Sequence, residues 1–508
     1  MLRSTVASAL LATFGWASAA EPVITVDDLP APAAAAGSGG PSLARGPDGM
    51  VWLTWLETQD RQTALRMATL APGSPGWSAP RTVAAGENWF VNWADFPALT
   101  AGPGGRATAV WFVTNPAPPA PATAGHDHHG PGYRAFLSTT TDAGRSWSEA
   151  APLTTESSSV EFVSLATLED GRVLAAWLDG RDRLRGGRAQ QLFARVIGVT
   201  GPDQLVDPAV CDCCQTSLTA FPDGSALLAY RGRTAEEVRD IRLARFHGGG
   251  WEPSRALHHD GWRLTACPVN GPQLTSDGGR LAAAWFTAAG DDPRVLVSYS
   301  GDAGARLVAP LRLSEGRPAG RVAITLLRND ALLVTWVDAA GVAWLRRVSP
   351  DFVPTEPVRL SAPAHGRVRG FPRLALLRDY AGGLEPAVLL AAYATDAGPA
   401  LRTRRVTIPE GQLVQAEQNC DCAPAPELLR GYPIRGVILG PPGDADRLRV
   451  RHFAVPGFFA AGTREFRLAP EARAGATGAV GSHFLGRFER REGGWTLIAV
   501  RLIAAPPR

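Results

Sequence analysis

A strand–turn–strand unit recurs along most of this chain: a small residue or Pro leading an apolar strand, a turn rich in Gly and Asp, then an apolar strand ending in an aromatic. It reads PSLARGPDGMVWLTW at 41–55, PALTAGPGGRATAVW at 97–111, VSLATLEDGRVLAAW at 163–177, TSLTAFPDGSALLAY at 216–230 and PQLTSDGGRLAAAW at 272–285. Two weaker copies follow, VAITLLRNDALLVTW at 322–336 and PRLALLRDYAGGLEPAVLLAAY at 372–393. Further short strands such as LRMATLA, QQLFARVIG and RVLVSYS come after the copies. Asp-Gly and Gly-Gly at the turns supply the positive φ that tight hairpins need. Four short strands per unit of about 50 residues, repeated around a ring, predict an all-β chain built mainly as a β-propeller. Seven copies favour seven blades, with six as the alternative.

The N-terminus reads as an export signal: Arg3, an apolar stretch from Val6 to Trp16, and the small residues Ala17-Ser18-Ala19 before a mature start near Ala20 or Glu21. A periplasmic or extracellular address is expected. No later apolar run reaches the ~18 residues of a membrane span. Net charge is only +3 and the charges are scattered, which argues against nucleic acid and against a membrane surface as partners. The expected division is a signal at 1–20, a propeller at 21–405, a Cys- and Pro-containing linker at 406–430 and a small β-barrel at 431–508.

Six cysteines in an exported chain suggest disulfides, but their placement is uneven: Cys211, Cys213 and Cys214 crowd together, Cys267 stands apart, and Cys420 and Cys422 sit in the linker. Registering the repeats puts Cys211 seven residues before Leu218 and Cys267 seven before Leu274. The two are therefore equivalent positions in consecutive blades, on the loops that ring the central funnel. Three readings stay open: structural disulfides, a thiolate site for a soft metal such as copper or zinc, and redox chemistry. A disulfide between adjacent residues is strained, and thiolates suit soft ions.

The corresponding loops of other blades supply Asn92, Trp93 and Asp95, then Glu156 and Glu161, Asn270, Arg317 and Arg321, and His365, Arg367 and Arg369. Asp95, Glu161, Asn270 and these arginines and histidine form the expected ligand funnel. Its cationic side would attract a small anionic ligand or glycan and favour thiolate. His126, His128 and His129 lie in a Pro/Ala/Gly-rich insertion, and His258 and His259 precede Cys267; imidazoles on such loops are further metal candidates.

Thr140-Thr141-Asp142-Ala143-Gly144-Arg145-Ser146-Trp147 matches the Asp-box, and Ser300-Gly301-Asp302-Ala303-Gly304 is a shortened copy. On these residues the region 37–405 resembles the sialidase-like propellers. The resemblance implies a structural role for the box, with its Asp tying the turn. It also raises exo-sialidase-type hydrolysis as an alternative function, with an Asp acid (Asp60 or Asp95) and a Tyr paired with a Glu (Tyr380 or Tyr393). The chain departs from that family where an Arg-Ile-Pro motif would clamp the substrate carboxylate: Gly39-Gly40-Pro41 stands there. Without the guanidinium the bidentate donor is gone.

Beyond Tyr432, the residues Arg435-Gly436-Val437, His452, Pro456-Gly457, Thr463 and Glu465-Phe466 follow the pattern of CusF-like periplasmic copper-binding domains, small barrels of OB type. That resemblance implies a metal at His452 and two Met ligands, but Gly462 and Arg464 occupy the Met positions, and Arg is no substitute for a thioether. The expectation is a docking module for a periplasmic protein partner. The whole chain reads as an exported binding or accessory protein, with copper or another soft metal as its cargo. A structural scaffold holding only disulfides is the third alternative.

Overall fold

The computed structural model describes residues 24–35, 37–115, 132–157, 159–187, 189–327, 330–350, 352–361, 363, 370–377, 387–391, 401–407, 431–440, 446–452, 455, 462–476, 480–491 and 494–503. Their strands fall into seven antiparallel sheets and one closed barrel, and the regular elements besides strands are short 3-10 turns. The seven sheets are the blades of a β-propeller. Blades 1 to 6 span residues 39–87, 98–152, 160–210, 217–256, 273–312 and 318–359. Each runs in sequence order from an inner strand to an outer one.

The second strand of each repeat is the apolar run, and it is buried on both faces because blades stack on either side of it. Val51–Gln59 begins with six buried residues, Ala226–Arg231 is buried throughout, and so is Arg280–Thr287. The aromatics closing these runs, Trp55, Trp177, Tyr230 and Trp285, are fully enclosed between blades. Here the usual alternation of a half-exposed strand gives way to the continuous apolar pattern of a strand covered on two sides.

Blade 7 is closed from the other end of the chain. Arg373–Leu377, Ala387–Ala391 and Thr403–Thr407 pair in order, and Thr25–Leu29 adds the outermost strand in the register Thr25↔Thr407 to Leu29↔Thr403. Thr403 Oγ1 donates to Leu29 O at 2.8 Å and accepts from Trp77 Nε1 of blade 1 at 3.1 Å. The ring is thus sealed by hydrogen bonds between the two ends of the propeller.

Two hairpin turns key one blade into the previous one. Asp142 Oδ1 accepts from Arg145 N at 2.9 Å and Ser146 N at 3.0 Å, and the Ser146 hydroxyl donates to Oδ2 at 2.6 Å. Those bonds, the Ser146 ones foremost, hold the Asp142 carboxyl well below its ordinary range. Gly144 has φ +74° and lies so close to Met67 of blade 1 that a Cβ would come within 2.8 Å of its Cε. The turn at Ser300–Gly304 repeats this. Gly304 has φ +84°, Arg306 N donates to Asp302 Oδ1 at 2.9 Å, and a Cβ on Gly304 would meet Leu227 and Leu281 at 2.8 and 2.9 Å.

The barrel comprises Tyr432–Ile438, Arg447–His452, Gly462–Leu468, His483–Arg491 and Gly494–Ile503, closed by the parallel pairs Arg467↔Thr496 and Leu468↔Leu497. Leu448, Val450, Phe466, Phe484, Phe488 and Leu497 fill it. It is seated on blades 5 and 6 by a buried polar network. Arg487 donates to Asp330, to Tyr299 OH at 2.8 Å and to Gly431 O at 2.7 Å, while Arg280 Nη1 donates to Asp330 Oδ1 at 2.9 Å. Burial alone would raise the Asp330 carboxyl, but Arg487 and Arg280 hold it below the ordinary value. Gly431 N donates to Gly301 O at 2.8 Å, an approach so close that a Cβ on Gly301 would sit 1.9 Å from Gly431 O.

Candidate thiol site

The loop from blade 3 to blade 4 carries Cys211, Cys213 and Cys214, and the loop from blade 4 to blade 5 carries Cys267. The three clustered cysteines are 1, 8 and 2 % exposed, whereas Cys267 is exposed. All four are free thiols. The sulfurs of Cys211, Cys213 and Cys214 lie within 4.8 Å of one another, with Cys211 and Cys214 Sγ 3.3 Å apart. Apolar neighbours including Phe162, Phe371 and Val269 pack around them.

Two buried arginines supply the charge. Arg239 Nη1 donates to Cys211 Sγ at 3.2 Å and its remaining nitrogens hold Glu237 at 2.6 and 3.0 Å. Arg231 donates to Arg239 O at 2.7 Å, to Asn270 O at 3.0 and 2.8 Å, and to Phe286 O at 2.8 Å, and its guanidinium stacks on Trp262. Arg231 O in turn accepts from Cys211 N at 3.0 Å, which fixes the cysteine loop to the end of a blade 4 strand. Each guanidinium is anchored by neighbouring acceptors, so its charge is preorganised at the sulfurs.

The cluster shares protons unevenly. Hydrogen bonds from Cys213 and Cys214, with the charges of Arg231 and Arg239, hold Cys211 well below the ordinary thiol range against its burial. Cys213 is pushed up because it donates to its sulfur neighbours, Cys211 first and then Cys214 and Cys267. Cys214 is pushed up by burial. Cys267 is lowered by the Cys213 thiol. Cys213 thus bridges the two loops through its hydrogen bonds to Cys211 and Cys267.

Other funnel residues are engaged internally. Asp95 accepts from Phe162 N at 3.1 and 3.0 Å and from Tyr133 OH, and burial pushes its carboxyl up to about 7. Those bonds hold Phe162 at φ 51°, in the left-handed region. Glu161, bonded by Gln190 Nε2 at 3.1 Å, is pushed up to about 8, by burial first and by Asp95 second. Asn270 orients its own chain: Oδ1 accepts from Arg321 N at 2.7 Å and Nδ2 donates to Ala319 O and Pro268 O, each at 3.0 Å. Arg321 stacks 4.8 Å from the Trp93 ring centre and 5.9 Å from that of Phe371. Arg317 is exposed.

Gln215 is a positioning residue not singled out from sequence. Its Nε2 donates to Ala94 O at 2.8 Å and its Oε1 accepts from Gly271 N at 3.0 Å, joining the loops before blades 2, 4 and 5. Arg231 and Arg239 were missed too. The one sequence cue is that Arg231 ends an apolar strand, where a charged side chain needs buried partners. Below these loops the inner strands line a central cavity of about 370 Å³. There Arg373 stacks 4.2 Å from the Phe96 ring centre, and burial lowers its guanidinium to about 10.

His259 is exposed, and His258 Nδ1 bonds Asp260 Oδ1 at 2.8 Å. His452 is buried in the barrel beside Phe466, while Arg464 is exposed. The first 23 residues, His126, His128, His129, His365, Arg367, Arg369, Tyr380, Tyr393, Cys420, Cys422 and Pro456-Gly457 lie outside the described residues.

No protein-family model matches the sequence, and no curated protein matches it. Solved structures do resemble this fold. A protein of unknown function from Dyadobacter fermentans aligns with 13 % identity over 76 % of this chain and 99 % of its own, at a TM-score of 0.44. A lectin from Burkholderia pseudomallei gives 11 % identity over 72 % of this chain and 98 % of its own, at 0.47. The NanB sialidase of Streptococcus pneumoniae gives 11 % identity over 73 % of this chain and 68 % of its own, at 0.37.

Proposed function

We propose that this protein is an exported binding or accessory protein that holds a soft metal ion, copper(I) foremost, on the thiolates of Cys211, Cys213 and Cys214, with Cys267 as a fourth sulfur. The observation that carries this reading is the convergence of three buried sulfurs within 4.8 Å beside two buried guanidiniums. Metal–thiolate bonds of about 2.3 Å place sulfurs sharing one ion up to ~4.6 Å apart, so the cluster needs only small adjustment. A monovalent copper ion on three thiolates leaves two negative charges beside the guanidiniums of Arg231 and Arg239, the latter also paired with Glu237. Asp212 is not needed as a ligand, since it accepts from Gln190 N at 3.2 Å and pairs with Arg233 at 3.2 Å. Cys267 is where an incoming ion would first meet sulfur. The barrel, CusF-like in pattern but lacking the Met pair, serves as a docking module.

The test is a competition titration of the reduced protein against a coloured copper(I) chelator. One tightly held ion per chain is expected, with at least a hundredfold weaker retention in Cys211→Ser. An absence of stoichiometric copper or zinc, or an unchanged Cys211→Ser, would sink the proposal. Sialidase-type hydrolysis is the weaker alternative: Asp95, Tyr133 and Glu161 do come together, but buried and bonded to one another or to the chain. Turnover of a fluorogenic sialoside would reinstate it.

A further inference from the structure

A second charged feature lies on the barrel, away from the cysteines. Along Arg447–His452 the residues alternate, with Arg447, Arg449 and Arg451 exposed and Leu448, Val450 and His452 buried. The neighbouring strand places Arg467 opposite Arg447, Glu465 opposite Arg449 and Thr463 opposite Arg451, all exposed. Four guanidiniums and one carboxylate thus share a two-stranded face. The Glu465 carboxylate lies 3.6 Å from Arg447, while Arg449, Arg451 and Arg467 have no ion-pair partner among the described residues.

Like charges directly opposite one another destabilise a sheet, and Arg447 faces Arg467 in that way. Alternate residues on a strand stand about 6.8 Å apart, and paired strands lie about 4.8 Å apart. The face is therefore a short double row of forked donors, suited to carboxylate or sulfate groups spaced along an extended chain. We propose that this face binds a linear acidic polysaccharide. Repeated anionic groups in a row complement the arginine rows, and on the reading of the chain as exported such polymers, rather than nucleic acids, are the polyanions it would meet.

The experiment uses the full chain and polygalacturonate as the probe, followed by retention on the immobilised polymer across a salt series. Arg449→Glu/Arg451→Glu is expected to lower affinity at least tenfold and to flatten the salt dependence. Reversal of two exposed arginines on blade 2, Arg106→Glu/Arg145→Glu, should leave affinity within twofold. Arg447→Gln/Arg467→Gln provides the control for folding: it should weaken binding at least threefold while the melting temperature holds or rises, because a repulsion has been removed. Equal binding by the barrel and blade 2 reversals would overturn the proposal. So would binding to double-stranded DNA or to anionic phospholipid vesicles without binding to polygalacturonate. Copper retention is independent of every one of these outcomes.

Discussion

At the scale of single residues, Arg239 and the buried carboxyls make opposite demands on protons. Arg239 adds to the Cys213 and Cys214 hydrogen bonds in stabilising charge on Cys211, so Arg239→Gln should raise the Cys211 thiol. The ultraviolet absorbance of thiolate, followed against pH, would show the titration move upward. A fall or no movement would remove Arg239 from the site. Asp95 and Glu161 behave differently, because burial keeps them protonated to about 7 and about 8. Between their unfolded values near ~4 and these folded ones, the native state binds more protons than the unfolded chain. Stability from these groups is therefore full at low pH and is lost as pH rises through that window. Melting temperature should fall from pH 5 to pH 8, and Asp95→Asn/Glu161→Gln should flatten that fall; an unchanged slope would contradict the burial argument.

At the scale of elements, the hairpin turns matter more than their surface position suggests. Gly304 combines a positive φ with contact against Leu227 and Leu281 of blade 4 and blade 5. Ala at this position would strain the turn and push against those leucines, for an expected loss of ~2–4 kcal/mol. Urea denaturation of Gly304→Ala would measure it, with Gly73→Ala as a positive-φ comparison that meets nothing within 4 Å. A similar loss in both variants would mean that backbone strain, and not the fit between blades, sets the cost.

At the scale of the molecule, the barrel is held to the propeller in part through buried polar groups. Removing Arg487 leaves Asp330 buried with Arg280 as its remaining guanidinium, and breaking such a buried pair costs ~3–5 kcal/mol. Arg487→Ala should detach the barrel, seen as an earlier separate unfolding step in calorimetry. Asp330→Asn/Arg487→Met, which leaves no uncompensated charge there, should recover part of the loss. A single unaltered transition in Arg487→Ala would show that apolar packing, with Tyr432 against Tyr299, suffices for docking.

Much of this architecture is legible in the sequence because a propeller blade is a local object. Its apolar run, turn glycines and closing aromatic recur within a few tens of residues, so repeats alone announce the strands and the ring, and registering Leu218 with Leu274 puts Cys211 and Cys267 on matching loops. Pairings between distant segments leave no such trace. The closure of blade 7 by Thr25–Leu29, the bridge made by Gln215 and the seat of Arg487 on Asp330 each join residues far apart in the chain, while Arg239 meets the Cys211 sulfur by an approach that no repeat position announces. Periodicity reports which face of a strand is covered. Which side chain satisfies a buried charge depends on what the completed ring brings against it, and only the tertiary structure decides that.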